Sequence, residues 1–462
     1  MNTQLLAPTD AELALDDLRA RLSGDIVAPG DESWDSARQA WNLAVDQRPA
    51  AVALPESARD VVEVVDFARR NDLRVAPQGT GHNAAALGEL GDTILLKTHR
   101  MRAVTIIPEA RIARAEAGAL WIEVVEAAAA HGLAALAGSS PDVGVVGYTL
   151  GGGLSWLARK HGIGANQVTA VELVTADGRF VRADRNNEPD LFWAVRGGGG
   201  AFGVVTAIEF NLFPITEVYA GILWFPVERS AEVLKVWRAW TDGLPEEMTS
   251  VGRILQFPPI PEIPKPVRGQ SFVVVEAIYA GDEAEGASLL EPLRALGPAM
   301  DTVATMPVAG LSRLHMDPEE PVPVAGDGGM LTDVDDELIE ALVAEAVGSP
   351  LLTVELRHLG GAVARARPEH GAAAAFEAPF ILYAAGFTPF PEAVAAVHAS
   401  VHALRSALAP WEAAHTYMNF ADTRRDAKSL FTEQAYHRLR RVKAAYDPVD
   451  RIRSNHPIAP AG

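Results

Sequence analysis

The 462-residue chain contains no cysteine. That excludes disulfides, thiolate nucleophiles, cysteine-ligated zinc and any thioether to a prosthetic group, and it leaves the redox compartment undetermined. Positive charge is scarce: 40 Lys+Arg stand against 60 Asp+Glu, a formal net charge of −20. Nucleic acid or an anionic membrane would have to be approached against that repulsion, so neither is expected as a partner. Long apolar runs are missing as well. The longest, Ala372 to Phe387, carries Glu377 and Pro379 and is too short to span a bilayer. Met1 to Asp10 has no basic residue ahead of an apolar stretch, so it does not read as a secretory signal, and a soluble cytoplasmic protein is expected. His398-x-x-x-His402 lies in an alanine-rich helical stretch without an acidic third ligand, so no metal is expected.

What is present is ordinary globular composition, 22% charged and 48% hydrophobic, over a length that one core rarely supports. Two domains are therefore expected. Residues 10 to 22 predict a short helix carrying Leu13, Leu15, Leu18 and Leu22. Ala51 to Leu54 predicts a strand, Ser57-x-x-Asp60 a capping box, and Val61, Val64, Val65 and Ala68 a helix. A second strand, Arg74 to Ala76, then runs into the loop Pro77-Gln-Gly-Thr-Gly-His-Asn83. Glycine at 79 and 81 lets backbone N–H groups approach an anion closely, which marks a phosphate-binding loop carrying one imidazole, His82. Gly79-x-Gly81-x-x-Ala84 also satisfies a dinucleotide fingerprint. That reading needs a long helix and a later acidic residue, and the sequence supplies only a glycine-broken stretch to Gly91 before the strand Thr93 to Lys97.

Strands at 103–108 and 111–116 and a helix from Leu120 to His131 precede a second small-residue tract, Ala137 to Gly153, whose glycines argue against a regular element. A third tract, Asp190 to Gly203, leads into the strand Val204 to Phe210. Three such tracts point to a long ligand threaded between them. After Phe213-Pro214 the pattern becomes strands at 218–225, 250–257, 271–280, 351–358 and 379–386 with helices at 229–241, 282–295, 334–346 and 390–408. Alternation such as Thr353-Val-Glu-Leu-Arg357 predicts an antiparallel sheet with one ligand-facing side, in an α+β substrate domain; the proline-rich run 258 to 266 is a loop. In the tail, Tyr417 to Phe420 predicts a strand and Tyr436 to Tyr446 a helix.

Assembled, the chain resembles the berberine-bridge-enzyme-like branch of the vanillyl-alcohol-oxidase (PCMH-type) flavoproteins. The resemblance runs from about Trp41 to Pro457 on collinear marks. They are Gln78-Gly-Thr-Gly-His82, Ser140-Pro-Asp-Val-Gly-Val-Val-Gly-Tyr-Thr-Leu-Gly-Gly-Gly153, Asp190 to Thr206, Tyr417-x-Asn-Phe420, Tyr446-Asp-Pro448 and Arg453-x-Asn-His-Pro457. It implies an α+β fold of two domains, a PCMH-type FAD-binding domain and an α+β substrate domain with an antiparallel sheet covered by helices. The FAD-binding domain spans 1–215 (core about 45–215), the substrate domain 216–410, and 411–462 returns to the FAD domain.

The resemblance further implies FAD held by Pro77, Gln78, Gly79, Thr80, Gly81, His82 and Asn83, by Gly138, Ser139, Ser140, Val143, Gly144 and Gly147, by Val204 and Val205, and by Tyr417, Asn419 and Asn455. It makes His82 the residue bonded to the flavin 8α-methyl. Bicovalent members carry a cysteine where this chain has Ser140, and a serine hydroxyl is too weak a nucleophile to replace it, so one link at most is expected. The implied reaction moves a hydride from an alcohol or amine carbon of a small molecule to flavin N5, with O2 reduced to H2O2. A tyrosine whose pKa is depressed by nearby positive charge can take the substrate proton, and Tyr417 matches the motif; Tyr383 and Arg357 are further catalytic candidates. The chain departs from the family near Phe376-Glu-Ala-Pro379, where a His-Arg pair often precedes the strand. A flavin dehydrogenase with another acceptor, and a flavin-binding protein without turnover, are the alternatives.

Overall fold

The computed structural model describes residues 11–261, 263 and 265–462, so the readings of Met1 to Asp10 and of the Leu13 side chain lie outside the described residues. A first sheet has strands β1 (Asp25–Val27), β2 (Ala51–Leu54), β3 (Arg74–Gln78) and β4 (Thr93–Lys97) in the order β1-β2-β4-β3. β2, β4 and β3 run parallel, which requires a crossover, and the helix Ala58–Arg70 supplies it. That helix buries Val61, Val64, Val65 and Ala68 completely, one face of a 3.6-residue period. Its cap differs from the expected box. Ser57 Oγ accepts from the Asp60 N–H at 3.2 Å, but the Asp60 carboxylate, one methylene shorter than glutamate, accepts from Ser23, Gly24 and Glu56 N–H groups.

The second sheet orders β5 (Val104–Ile107), β6 (Ile112–Glu116), β7 (Val168–Val174), β8 (Phe180–Asp184) and β9 (Val204–Asn211) as β5-β6-β9-β7-β8, all antiparallel. The β7–β8 hairpin is not among the strands anticipated above. Within the second glycine tract the expectation of irregular backbone is overturned: Val145–Leu150 is helical, with Gly144 as N-cap. Val145, Val146 and Leu150 of this turn are buried in the core beneath β9, and that burial outweighs the poor helix propensity of glycine.

The third sheet joins β10 (Glu217–Pro226), β11 (Met248–Gln256), β12 (Ser271–Tyr279), β13 (Met300–Asp301), β14 (Ala304–Pro307), β15 (Val324–Leu331), β16 (Thr353–His358) and β17 (Phe380–Phe387). Its order is β13-β10-β12-β11-β16-β17-β15, with β14 also on β10. One face is apolar and packs on the helices Ser230–Thr241, Glu283–Arg294, Asp336–Ala346 and Pro391–Leu408 through Trp237, Leu293, Leu342 and Leu404. Cross-strand register puts Arg253, Glu355 and Tyr383 in one row and Glu276, Val251 and Arg357 in the next row of the same face, the one turned away from the helices. That polar face looks toward the glycine tracts.

The tail closes the fold. Val75 N–H donates to the Arg451 carbonyl and Arg453 N–H to the Val75 carbonyl, both at 2.9 Å, so the tail adds a short parallel bridge to the edge of β3. The helix Glu433–Tyr446 anchors this return through Lys443. Residues 417–420 are not the expected strand: Met418–Phe420 is a single 3-10 turn, whose backbone bonds run within it from Phe420 N to Tyr417 O and from Ala421 N to Met418 O. No helix among the described residues is long and apolar enough to cross a membrane.

Candidate active site

The first loop leaves β3 at Gln78 and turns at Gly81, whose φ of +89° favours glycine. Among the described residues, no backbone N–H from Gly79 to Asn83 finds an acceptor within the chain, and none from Gly138 to Gly144 in the second tract does either. Two runs of unpaired amides make a concave anion site. Thr80 Oγ1 lies 2.6 Å from His82 Nδ1, and Trp41 stacks on the imidazole at 4.0 Å. His82 Nε2 is 3.6 Å from Asp142 Oδ1. Asp142 is itself fixed by the Ser140 hydroxyl at 3.0 Å and by the Trp41 indole N–H. Asn83 donates to the Ala421 carbonyl, and Asn455 donates to the Asn83 carbonyl at 2.6 Å, so the tail holds the loop from two sides. Pro77 and Gln78 are in β3 itself, beside Leu96 and Lys97 of β4.

The second tract brings Ser139 to the polar sheet face, where its hydroxyl donates to Asp317 and accepts from Arg357 Nη2 at 3.4 Å. Gly138 has no room for a side chain, since a Cβ would lie 2.9 Å from the Tyr148 ring. Gly144 faces Thr80 across the cleft and Gly147 faces open space. Val143 packs at the rim of the core. Val204 and Val205 start β9 with their side chains in two different cores, so only their backbone is free to meet a ligand.

Tyr417 is buried, and its hydroxyl accepts from the Leu154 N–H at 3.1 Å and from Asn419 Nδ2 at 2.9 Å. The expectation of a depressed pKa is overturned. Burial pushes the phenol up to about 12 and outweighs those two donors and Arg357. Tyr383, its ring tilted by 37° against Phe420 at 4.7 Å, donates to Asp422 Oδ2 at 2.8 Å. Burial first, and then that carboxylate, raise Tyr383 well above 10, while burial raises Asp422 to about 6. Arg357 lies against Phe420, 4.9 Å from its ring centre, and bonds Glu355 Oε1 through Nε and Nη2. Behind it His315 bridges Glu276 at 2.6 Å and Glu355 at 2.9 Å. Asp422, Glu276 and His315 went unmarked in the sequence because single residues without a spacing partner carry no signal, and Asp142 stood inside the Ser140 to Gly153 motif without being given a part.

An FAD binding domain profile matches residues 49–184, and a profile described as berberine and berberine like matches residues 416–459. The chain is 28% identical over 461 residues to (R)-6-hydroxynicotine oxidase of Paenarthrobacter nicotinovorans, covering 96% of this chain and 98% of that one. It is 26% identical to xylooligosaccharide oxidase of Thermothelomyces thermophilus, covering 98% and 96%. Among solved structures, wild-type BBE-like 1 of Physcomitrella patens superposes with a TM-score of 0.84 at 18% identity, covering 97% and 99%, and shows the same fold. The chain is an FAD-linked oxidoreductase that carries a berberine-like C-terminal segment.

This FAD-linked enzyme has residues that fit FAD. Gln78 Oε1 and Asn83 Oδ1, at the two ends of the first loop, are buried without a partner, which suits a ligand carrying hydrogen-bond donors along its length. The unpaired amides of both tracts suit its pyrophosphate. Asn419 spends both hydrogens of its amide nitrogen on Tyr148 O and Tyr417 Oη, so it holds Tyr417, and its Oδ1 is the atom left to meet a cofactor. Phe376, at the point where the chain departs from the pattern it otherwise resembles, packs on the Tyr417 ring at 5.3 Å.

Proposed function

We propose that this enzyme is an oxidase that takes a hydride from an alcohol or amine carbon of a small molecule, a sugar, an alkaloid or another secondary metabolite, with O2 reduced to H2O2. The observation that carries it is the meeting of the two unpaired-amide tracts and His82 with a polar sheet face that presents Tyr383 and Arg357, with Asp422 of the tail bonded to Tyr383. When bound, FAD supplies a two-electron hydride acceptor that O2 can reoxidise. His82 is its single covalent anchor at the 8α position, since Ser140 replaces the cysteine of bicovalent relatives.

Tyr383 takes the substrate hydroxyl or amine proton and passes its own to Asp422, which accepts it along the 2.8 Å bond. Arg357, fixed by Glu355, positions the substrate's polar group. Tyr417, held by Leu154 and Asn419, completes the wall. A panel of alcohols, sugars and cyclic amines is to be mixed anaerobically with the purified enzyme. A turning-over substrate bleaches the yellow colour, and air restores it with one H2O2 per cycle. Bleaching with slow return in air assigns a dehydrogenase instead. Acid precipitation leaves fluorescent flavin in the pellet; in His82→Ala it passes to the supernatant.

A further inference from the structure

We propose that Asp142 is the positioning residue that prepares His82 for attachment of its cofactor. This rests on the covalent reading above. The imidazole has two different sides. Nδ1 faces the Thr80 hydroxyl at 2.6 Å, whereas Nε2 is buried, lacks a hydrogen-bond partner and lies 3.6 Å from Asp142 Oδ1. A lone pair on Nε2 would point its electrons at a carboxylate, so the neutral ring carries its hydrogen there and keeps the lone pair on Nδ1. Thr80 donates to that lone pair.

The carboxylate is not free to turn away. Ser140 Oγ donates to Oδ1 at 3.0 Å, the Trp41 indole N–H donates to Oδ2, and the Trp41 ring stacks on the imidazole at an interplanar angle of 17°. Ser140 thus has a use in this chain: it aims the carboxylate that faces the remaining anchor. As the N–C bond forms the ring gains positive charge, and Asp142 receives it by drawing on the ring's proton, the same division of labour as in a nucleophile oriented by a third group.

The balance is closed. One C–H bond of the 8α-methyl and one N–H bond of His82 are broken and one C–N bond is made. The two protons and two electrons released pass through the isoalloxazine ring to O2, giving one H2O2 per bond formed.

The test compares wild type, Asp142→Asn, Asp142→Glu and Ser140→Ala as purified proteins loaded with FAD in air. Acid-stable flavin, intact mass and H2O2 are followed with time, and total bound FAD is measured separately. Asp142→Asn is expected to hold FAD at full occupancy but attach it at least tenfold more slowly, with partial recovery in Asp142→Glu. A wild-type attachment rate in Asp142→Asn overturns the proposal. If Asp142→Asn fails to hold FAD, Ser140→Ala decides: attachment slowed several-fold at full occupancy supports the proposal, and an unchanged rate overturns it. Wild type without acid-stable flavin overturns the covalent reading itself, and this proposal with it.

Discussion

At the scale of single residues, proton transfer turns on which tyrosine can lose a proton to a neighbour. Tyr417 receives two N–H donors and has no acceptor for its own hydrogen within the described residues, whereas Tyr383 already donates to Asp422. Activity is therefore expected to depend on ionised Asp422. Burial holds that group at about 6, so kcat is expected to rise with pH through that value and then level. Asp422→Asn should remove the limb and lower kcat by about 10²-fold, and Tyr383→Phe by a similar factor, the usual worth of one positioned acid–base group. Tyr417→Phe should act differently: it strands the Leu154 N–H, costing about 1–3 kcal/mol of stability, with a smaller loss of kcat. A pH–rate profile of the three variants, together with their urea midpoints, separates the roles. Full activity in Tyr383→Phe alongside a folded, dead Tyr417→Phe would reverse the assignment. His82 was legible in the sequence because flanking glycines marked it, but Asp422 was not, since its importance comes only from contact with a strand 39 residues earlier.

At the scale of elements, regular patterns were readable wherever side chains supplied them. The crossover helix Ala58–Arg70 and the alternation in β16 followed from periodicity, whereas β15, Val-Ala-Gly-Asp-Gly-Gly-Met-Leu, offered no such signal. Its glycines are there for space: a Cβ on Gly328 would lie 2.7 Å from the Leu382 carbonyl and 2.9 Å from the Phe420 carbonyl. The turn at 418–420 was misread because four residues, Tyr-Met-Asn-Phe, are too few to carry a period that separates a strand from a 3-10 turn. Pairing of β12, β11 and β16 also builds the charge cage that no single segment announces. In it burial and Arg253 push His315 down, but Glu276, Asp317 and Glu355 outweigh them and raise it to about 9. A folded-state pKa above the unfolded 6.5 means that the native form binds more protons between those values. The stabilisation is thus complete below about pH 6.5 and is lost as pH rises through 9, on the order of 3 kcal/mol in all. Urea unfolding at pH 6.5 and at pH 9.5 should show that fall in wild type, and His315→Gln should flatten it. An equal fall in both would mean that the cage does not hold the charge.

At the scale of the whole molecule, the last residues determine whether the first loop has a fixed shape. Asn455 holds Asn83, residues 451–453 extend the edge of β3, and both depend on a chain return pinned at one buried ammonium. Lys443 is fully buried, and its Nζ donates to Asp447 at 2.6 Å, to Asp450 at 2.9 Å and to the carbonyls of Ala201 and Ile452. Ala201 belongs to the third glycine tract, so this one side chain ties tail, tract and sheet together. Asp447 in turn accepts from the N–H groups of Arg451 and Ile452, which sets the direction in which the tail approaches β3. Tyr446-Asp-Pro448 stood out in the sequence as a motif, yet the lysine three positions before it did not, because a lysine on a helix is ordinarily a solvated charge. Lys443→Met keeps the volume but leaves the Asp447 carboxylate buried without its cation, a change that costs about 3–5 kcal/mol where such pairs are broken. The expected result is a lower melting temperature, earlier proteolytic release of the segment after residue 446, and loss of bound FAD before global unfolding, since the loop carrying His82 loses its support from Asn455. Melting followed by intrinsic fluorescence and by flavin fluorescence on the same sample checks the order. Coincident transitions in the variant would show that the tail and the loop are not coupled in this way.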